Sequence, residues 1–334
     1  MDKPQEEMQD LGFFGIYNAS IKTILSHKNI FAQISMSFIF PLSFAILVHF
    51  IVADIIDSTI NHDHETKLYS NSNVENEYLY RKLSNASIVY WIFIIIYMTL
   101  IFLFSILSTA TVVYTVANVY SGYNVTFKKV LKFVPKVWRR LVVTFLWIYF
   151  GFFIYNVITG LVFFIWASTV RNVTNTTYTI VMFYIFIATY CVGFINLTAH
   201  WQLASVVTVL ETSCPHGPLM KGINLIKGKK LLSWFVFFGL YCVFAGILIV
   251  FLKFMYDGTL GAIMTLVCVF LLMILFLVGY VAQTMLYLVC KSYHREPIDK
   301  MELSKHLGGD LGQIEPTLKV NKDIHELGLP QVQV

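Results

Sequence analysis

Apolar residues gather in six long runs separated by short polar or charged segments: Ile30 to Ala53, Ile88 to Val119, Leu141 to Ala167, Thr177 to Leu210, Leu231 to Met255 and Leu260 to Cys290. Each is long enough to carry an α-helix across about 30 Å of hydrocarbon. In lipid the backbone must satisfy its own polar groups, and a helix does so within one segment. The pattern therefore predicts an all-α membrane protein with six transmembrane helices. The second, fourth and sixth runs exceed the minimum length, so those helices are expected to tilt or to project beyond the bilayer. The chain divides into an amphipathic N-terminal segment (1–29), a six-span domain (30–290) and a tail (291–334).

The segments between the runs set the direction of crossing. Residues 1–29, 120–140, 211–230 and the tail share one side of the membrane and hold nineteen of the 24 Lys and Arg; the opposite loops hold four. Basic residues in short loops stay on the side of synthesis, which predicts cytosolic N- and C-termini. The sequons at Asn85, Asn172 and Asn175 fall in the outer loops, whereas those at Asn18 and Asn124 fall on the cytosolic side.

A short motif recurs before the odd spans: Ser20 to Lys28, Thr126 to Arg140 and Pro218 to Lys230. Lys22, Lys128 and Lys221 line up, as do Ile24, Val130 and Ile223. In the middle copy Phe127, Val130, Leu131, Val134 and Trp138 recur at helical spacing, while Lys128, Lys129, Lys132, Lys136 and Arg139 take the other face. Phe14, Tyr17, Ile21 and Leu25 form the stripe of the first copy. Each copy predicts a basic amphipathic helix in the cytosolic interface followed by a two-span hairpin, three hairpins in all. Recognition of anionic headgroups would fall to Lys22, Lys128, Lys129, Lys132, Lys136, Arg139, Arg140, Lys221, Lys227, Lys229 and Lys230.

Composition supports the membrane reading, since 57% of residues are hydrophobic and only 13% charged. The acidic opening of the chain lacks the apolar core of a cleavable signal, so the first span is expected to serve as a retained anchor. None of the five cysteines falls in an outer loop, which argues against disulfides. Cys290, beside Lys291 at a membrane exit, is a candidate for acylation.

Polar groups inside spans mark function or helix pairing. The candidates are His49, Asn156, Asn196, His200, Gln202 and Gln283. Carboxylates are missing from the middle of every run, which disfavours ion-coupled pumps. Asn156, Asn196 and Gln202 read first as interhelical glue, and His49 is expected to pair with Asp54 or water. The cluster His62-Asp-His-Glu65 in the first outer loop lacks an orienting shell for a metal. No catalytic residues, cofactor, metal site or nucleic-acid partner is expected. In the tail, Leu303, His306 and Leu307 predict a short helix, and the chain after Asp310 reads as a flexible arm.

The run Leu103 to Ala117, continued by Val125 to Val130 and Val134 to Leu141, resembles a plant family of uncharacterised multi-spanning transmembrane proteins. Trp201 to Glu211, Leu225 to Lys229 and Val289 to Lys300 carry the same resemblance. Some members bear a label as partners of a polyadenylate-binding protein. The hairpin layout is similar to the membrane domain that accompanies some glycerophosphodiester phosphodiesterases, whose catalytic domain this chain lacks. The resemblance implies fold rather than activity. The expected function is a non-enzymatic endomembrane organiser of lipids or partner proteins, in the endoplasmic reticulum or a related compartment rather than the plasma membrane. Its partners would be membrane lipids, with other membrane proteins second. The alternative is a facilitator or channel for a small solute, along Asn156, Asn196, His200 and Gln202.

Overall fold

The computed structural model describes Gln9 and residues 11–69, 73–122, 125–170, 176–211 and 217–295, with backbone alone at 56–57, 59–69, 73–87 and 176. The tail helix and arm, Cys214, the sequons at Asn124, Asn172 and Asn175, and the side chains of Asn85 and of His62 to Glu65 lie outside the described residues. Among the described residues the protein is helical, without strands. The elements are α1 (Phe13–Ser26), α2 (Lys28–Ile34), a π-helical turn (Ser35–Ile39), α3 (Phe40–Tyr69), α4 (Asn73–Tyr120), α5 (Phe127–Val170), α6 (Thr176–Leu210), α7 (Gly217–Ile226), α8 (Lys230–Phe254) and α9 (Gly258–Tyr293).

Six helical stretches are long and apolar enough to cross a membrane: Lys28–Ile55, Ile88–Tyr120, Phe127–Val170, Thr177–Leu210, Lys230–Phe254 and Gly258–Tyr293. The chain is thus a multi-pass membrane protein of all-α class. The first of these stretches joins α2 to α3 through the π turn, which closes with the Phe40 amide donating to Ser35 O immediately before Pro41. Proline supplies no N–H and crowds the preceding turn. A widened turn there absorbs the ring without ending the helix.

The repeated basic segments take two forms. In the first and third copies they are separate helices, α1 and α7, each followed by a break before the span. Gly228 makes the second break by adopting φ 98°, a left-handed conformation that glycine reaches without strain. The middle copy has no such residue, and its basic segment is the opening of the 44-residue α5. Pro135 lies inside that helix and removes only one backbone bond, to the Leu131 carbonyl.

The interior lies in the half of the bundle nearest the basic segments. Ser108 to Asn118 of α4, Leu203 to Leu210 of α6 and Val281 to Cys290 of α9 are buried on all sides. A helix with no exposed face there must be surrounded, and α9 packs on α1, α3, α4, α6 and α8. Small residues allow this closeness, as apolar attraction alone does not drive association in lipid. A Cβ on Gly222 of α7 would stand 3.0 Å from the Ala204 backbone nitrogen of α6. The buried hydroxyls bond within their own helices: Thr111 to Leu107 O, Thr115 to Thr111 O, Thr208 to Ala204 O and Thr284 to Tyr280 O, at 2.7–2.9 Å.

Toward the other end the helices present apolar side chains outward, among them Trp147, Phe153 and Phe164 of α5 and Tyr184 of α6. A smaller cluster of Leu47, Ile247, Phe251, Cys268, Val269 and Leu272 ties α3, α8 and α9 there. Cys290 is 0% exposed, packed in the interior, so its thiol is closed to acylation in the folded protein.

Candidate functional site

Glu211 follows the last residue of α6, at the basic end of the bundle. Its side chain is 13% exposed. Lys221 Nζ of α7 lies 2.5 Å from Oε2, while Lys291 Nζ and the Tyr287 hydroxyl of α9 reach Oε1 at 3.1 and 2.6 Å. Arg140 Nη1 of α5 donates to the Glu211 carbonyl at 3.3 Å. Tyr287 and Lys291 are four residues apart and so share a helix face. One residue thereby ties four helices. Burial, the largest single influence, pushes the Glu211 carboxyl up, but the hydrogen bonds from Lys221 and Tyr287 and the Lys291 charge outweigh it. The net effect is a carboxyl held at about 2.

The basic residues proposed as lipid contacts divide accordingly. Lys221 and Arg140 turn inward to Glu211. Lys229 donates to Gln9 O at 3.0 Å and lies 5.3 Å from the centroid of the Tyr293 ring. Lys22, Lys128, Lys129, Lys132, Lys136, Arg139, Lys227 and Lys230 are exposed. On α5 the residues behind the cations are Val130, Phe133, Val134, Val137 and Leu141, all buried, while Leu131 of the expected apolar face is exposed.

On α1 three of the four stripe residues point away from the protein, while Tyr17 turns inward. Ile16, Ser20 and Thr23 pack inward, whereas Phe14, Ile21 and Leu25 are exposed at 82%, 46% and 68%. The Tyr17 hydroxyl anchors the helix by donating to Val236 O of α8 at 2.8 Å.

Most intramembrane candidates bond locally. His49 does not pair with Asp54; it stacks on Tyr97 with ring centroids 3.9 Å apart, and Asp54 accepts the Tyr256 hydroxyl instead. Asn156 donates to Phe152 O at 2.8 Å and accepts the Tyr190 hydroxyl of α6 at 3.2 Å. His200 Nδ1 lies 2.6 Å from Asn196 O, and the Asn196 side chain is exposed on α6. Only Gln202 and Gln283 come together, in a cavity of about 320 Å³ bounded by α3, α4, α6, α8 and α9. Ser105, Tyr241 and Tyr280 join them as its other polar lining. No group of three or more His, Cys, Asp or Glu among the described residues could hold a metal ion.

Glu211, Tyr287 and Lys291 escape the search for polar groups within spans because they lie at the ends of helices distant in sequence. One signal exists: an acidic residue in a segment otherwise basic. For Tyr241 and Tyr280 the sequence offers none, since aromatic residues abound in every span.

The family model described as a domain of unknown function, DUF8558, matches residues 1–327, and the chain belongs to that family. No curated protein and no solved structure matches it.

Proposed function

We propose that this member of the DUF8558 family is a non-enzymatic endomembrane protein that organises anionic lipid through its basic end. In this reading the basic end and both termini face the cytosol, and the spans pair as three hairpins, each led by a basic segment at the interface. The observation that carries it is the pairing of exposed cations with an outward apolar stripe. Phe14, Ile21 and Leu25 project from α1 beside exposed Lys22, and Lys128, Lys129, Lys132, Lys136 and Arg139 project from the start of α5. On α1 this division seats the apolar side among acyl chains and Lys22 among headgroups, whereas α5 turns its cations outward from Val130, Phe133, Val134 and Val137, which are buried in the protein. Each cation near a charged leaflet contributes about 1 kcal/mol, so the five on α5 act together as a strong contact.

The test uses the full chain in nanodiscs of phosphatidylcholine with increasing phosphatidylserine, with anionic lipid at the protein boundary measured by spin-labelled lipid. Replacing Lys128, Lys129, Lys132 and Lys136 with Gln should remove most of the preference for phosphatidylserine. An unchanged preference would defeat the reading.

The second reading, a facilitator for a small solute, draws on Gln202. Of the four polar residues that would line a path, it alone borders the cavity. Flux through proteoliposomes no greater than through empty vesicles, across a broad panel of solutes, would remove it.

A further inference from the structure

The cavity holding Gln202 and Gln283 has a polar end and an apolar end, and its polar end is not self-satisfied. Gln283 is 1% exposed, and its Nε2 has no hydrogen-bond partner among the described residues. A buried amide hydrogen left unpaired is costly in hydrocarbon, and the neighbouring side chains do not relieve it. The Tyr241 hydroxyl is directed to Thr198 Oγ1 at 3.4 Å. Tyr280 lies within reach of the Ser105 and Thr109 hydroxyls.

Away from this end the lining is Leu42, Ile46, Ile101, Phe244 and Leu275. Leu275 lies eight residues before Gln283 on α9, about 12 Å along the axis. Ile46, Ile101, Leu240, Phe244 and Leu275 are only half-buried, so the rim faces the surroundings of the bundle between spans. A molecule would enter sideways, from lipid.

No charged side chain lines the cavity. Gln283 stands ten residues before the end of α9, about 15 Å from the basic end. A phosphate drawn to that depth would lose its water with no cation to replace it. From these features we infer that the cavity binds an uncharged membrane amphiphile, with an acceptor oxygen on Gln283 Nε2 and its hydrocarbon body along α9 and α3. The volume of about 320 Å³ lies at the lower bound of small-molecule sites, so part of the hydrocarbon extends past the rim into the bilayer. Two lipid classes share this chemistry: diacylglycerols, through an ester carbonyl, and sterols, through the hydroxyl oxygen. The inference goes beyond the anionic-surface reading and does not rest on it, because the cations at the basic end do not border the cavity.

Two variants separate a ligand site from a structural amide. Gln283→Met keeps the side-chain length and removes the unpaired group, so the variant without ligand should be at least as heat-stable as the parent. Gly279 borders the cavity, and a Cβ there meets only the Leu240 side chain, Cδ1 at 3.6 Å and Cδ2 at 3.9 Å; Gly279→Leu therefore fills the space. The full chain in neutral detergent is titrated with dioleoylglycerol in one arm and cholesterol in the other, with phosphatidylserine as the charged comparison. Binding is read by native mass spectrometry and by the shift in thermal midpoint. The expected result is saturable binding of at least one neutral lipid, weakened about tenfold or more by either variant, with phosphatidylserine binding unaffected. The arm that saturates identifies the source of the oxygen. Saturation by neither neutral lipid, or equal binding by parent and both variants, overturns the inference.

Discussion

The Tyr287 hydroxyl donates to Glu211 Oε1 at 2.6 Å, joining the last turns of α9 to the end of α6 across 76 positions of the chain. Lys291 approaches the same oxygen at 3.1 Å and Lys221 the other at 2.5 Å. The carboxylate thus holds two cations that are themselves only 17% and 28% exposed. Removing it would leave the two partly buried lysine charges near each other without the carboxylate between them, which is worse than losing a simple contact. Glu211→Ala should lower stability by about 2–3 kcal/mol, and Tyr287→Phe by about 1 kcal/mol. Thermal unfolding in detergent measures both, and a Glu211→Ala midpoint equal to the parent would show that the cluster stabilises nothing.

The pH dependence follows from the same carboxylate. Its folded value of about 2 lies below the ordinary 4.5, so between these values the unfolded chain binds more protons than the native protein. The contribution of Glu211 is complete above pH 4.5 and is lost as pH falls toward 2. The gap in thermal midpoint between the parent and Glu211→Gln should therefore stay constant from pH 8 to 5 and narrow below 4.5. A gap that instead opened on acidification would reverse the assigned sign.

Two glycines should tolerate no side chain, for different reasons. At Gly222 a methyl group would press on the Ala204 backbone at 3.0–3.2 Å, and neither α6 nor α7 can yield without moving as a unit. Gly222→Ala is expected to cost about 1–3 kcal/mol. At Gly228 the substitution adds left-handed strain to a collision with the Tyr293 ring, so Gly228→Ala should be the worse of the two. Gly246, with nothing within 4 Å, serves as the control, and Gly246→Ala should leave the midpoint unchanged or slightly raised. Equal midpoints for all three variants would contradict the close approaches described above.

These positions also mark what the sequence makes legible. Six apolar runs reveal six membrane-crossing helices because a helix in lipid needs only length and hydrophobicity. Whether a basic segment stands apart from its span is only partly written in residue type: Gly228 breaks the third copy, but the first breaks at His27 and the middle one runs unbroken through Pro135. Of the legible stripe Phe14, Tyr17, Ile21 and Leu25, Tyr17 turns inward to α8, and the other protein contacts come from Ile16, Ser20 and Thr23 on the far face. In a bilayer an apolar face suits lipid as well as protein, so periodicity alone does not say which it meets: on α1 Phe14, Ile21 and Leu25 face outward, while on α5 Val130 and Val134 face the core. Gln202 and Gln283 stand out as polar residues in apolar runs. Their meeting depends on how α6 and α9 pack, which spacing within either helix does not encode, and the same holds for Glu211 and its lysines.

Orientation supplies the remaining prediction. The positive-inside rule depends on basic residues in short segments near span ends, and those that flank α5 and α7 satisfy it: 120–140 holds six and 211–230 holds four. The turn between α8 and α9, 255–257, is uncharged apart from Asp257. Thr126 and Asp257 are both exposed and lie at opposite ends of the bundle, so each can carry a reporter. In a background with the native cysteines replaced by serine or alanine, Thr126→Cys should react with a membrane-impermeant maleimide on sealed endoplasmic-reticulum microsomes. Asp257→Cys should react only after the vesicles are opened with detergent. The opposite pattern would place the cations of α5 in the lumen, away from the anionic cytosolic leaflet, and the lipid reading of the basic end would fall with it.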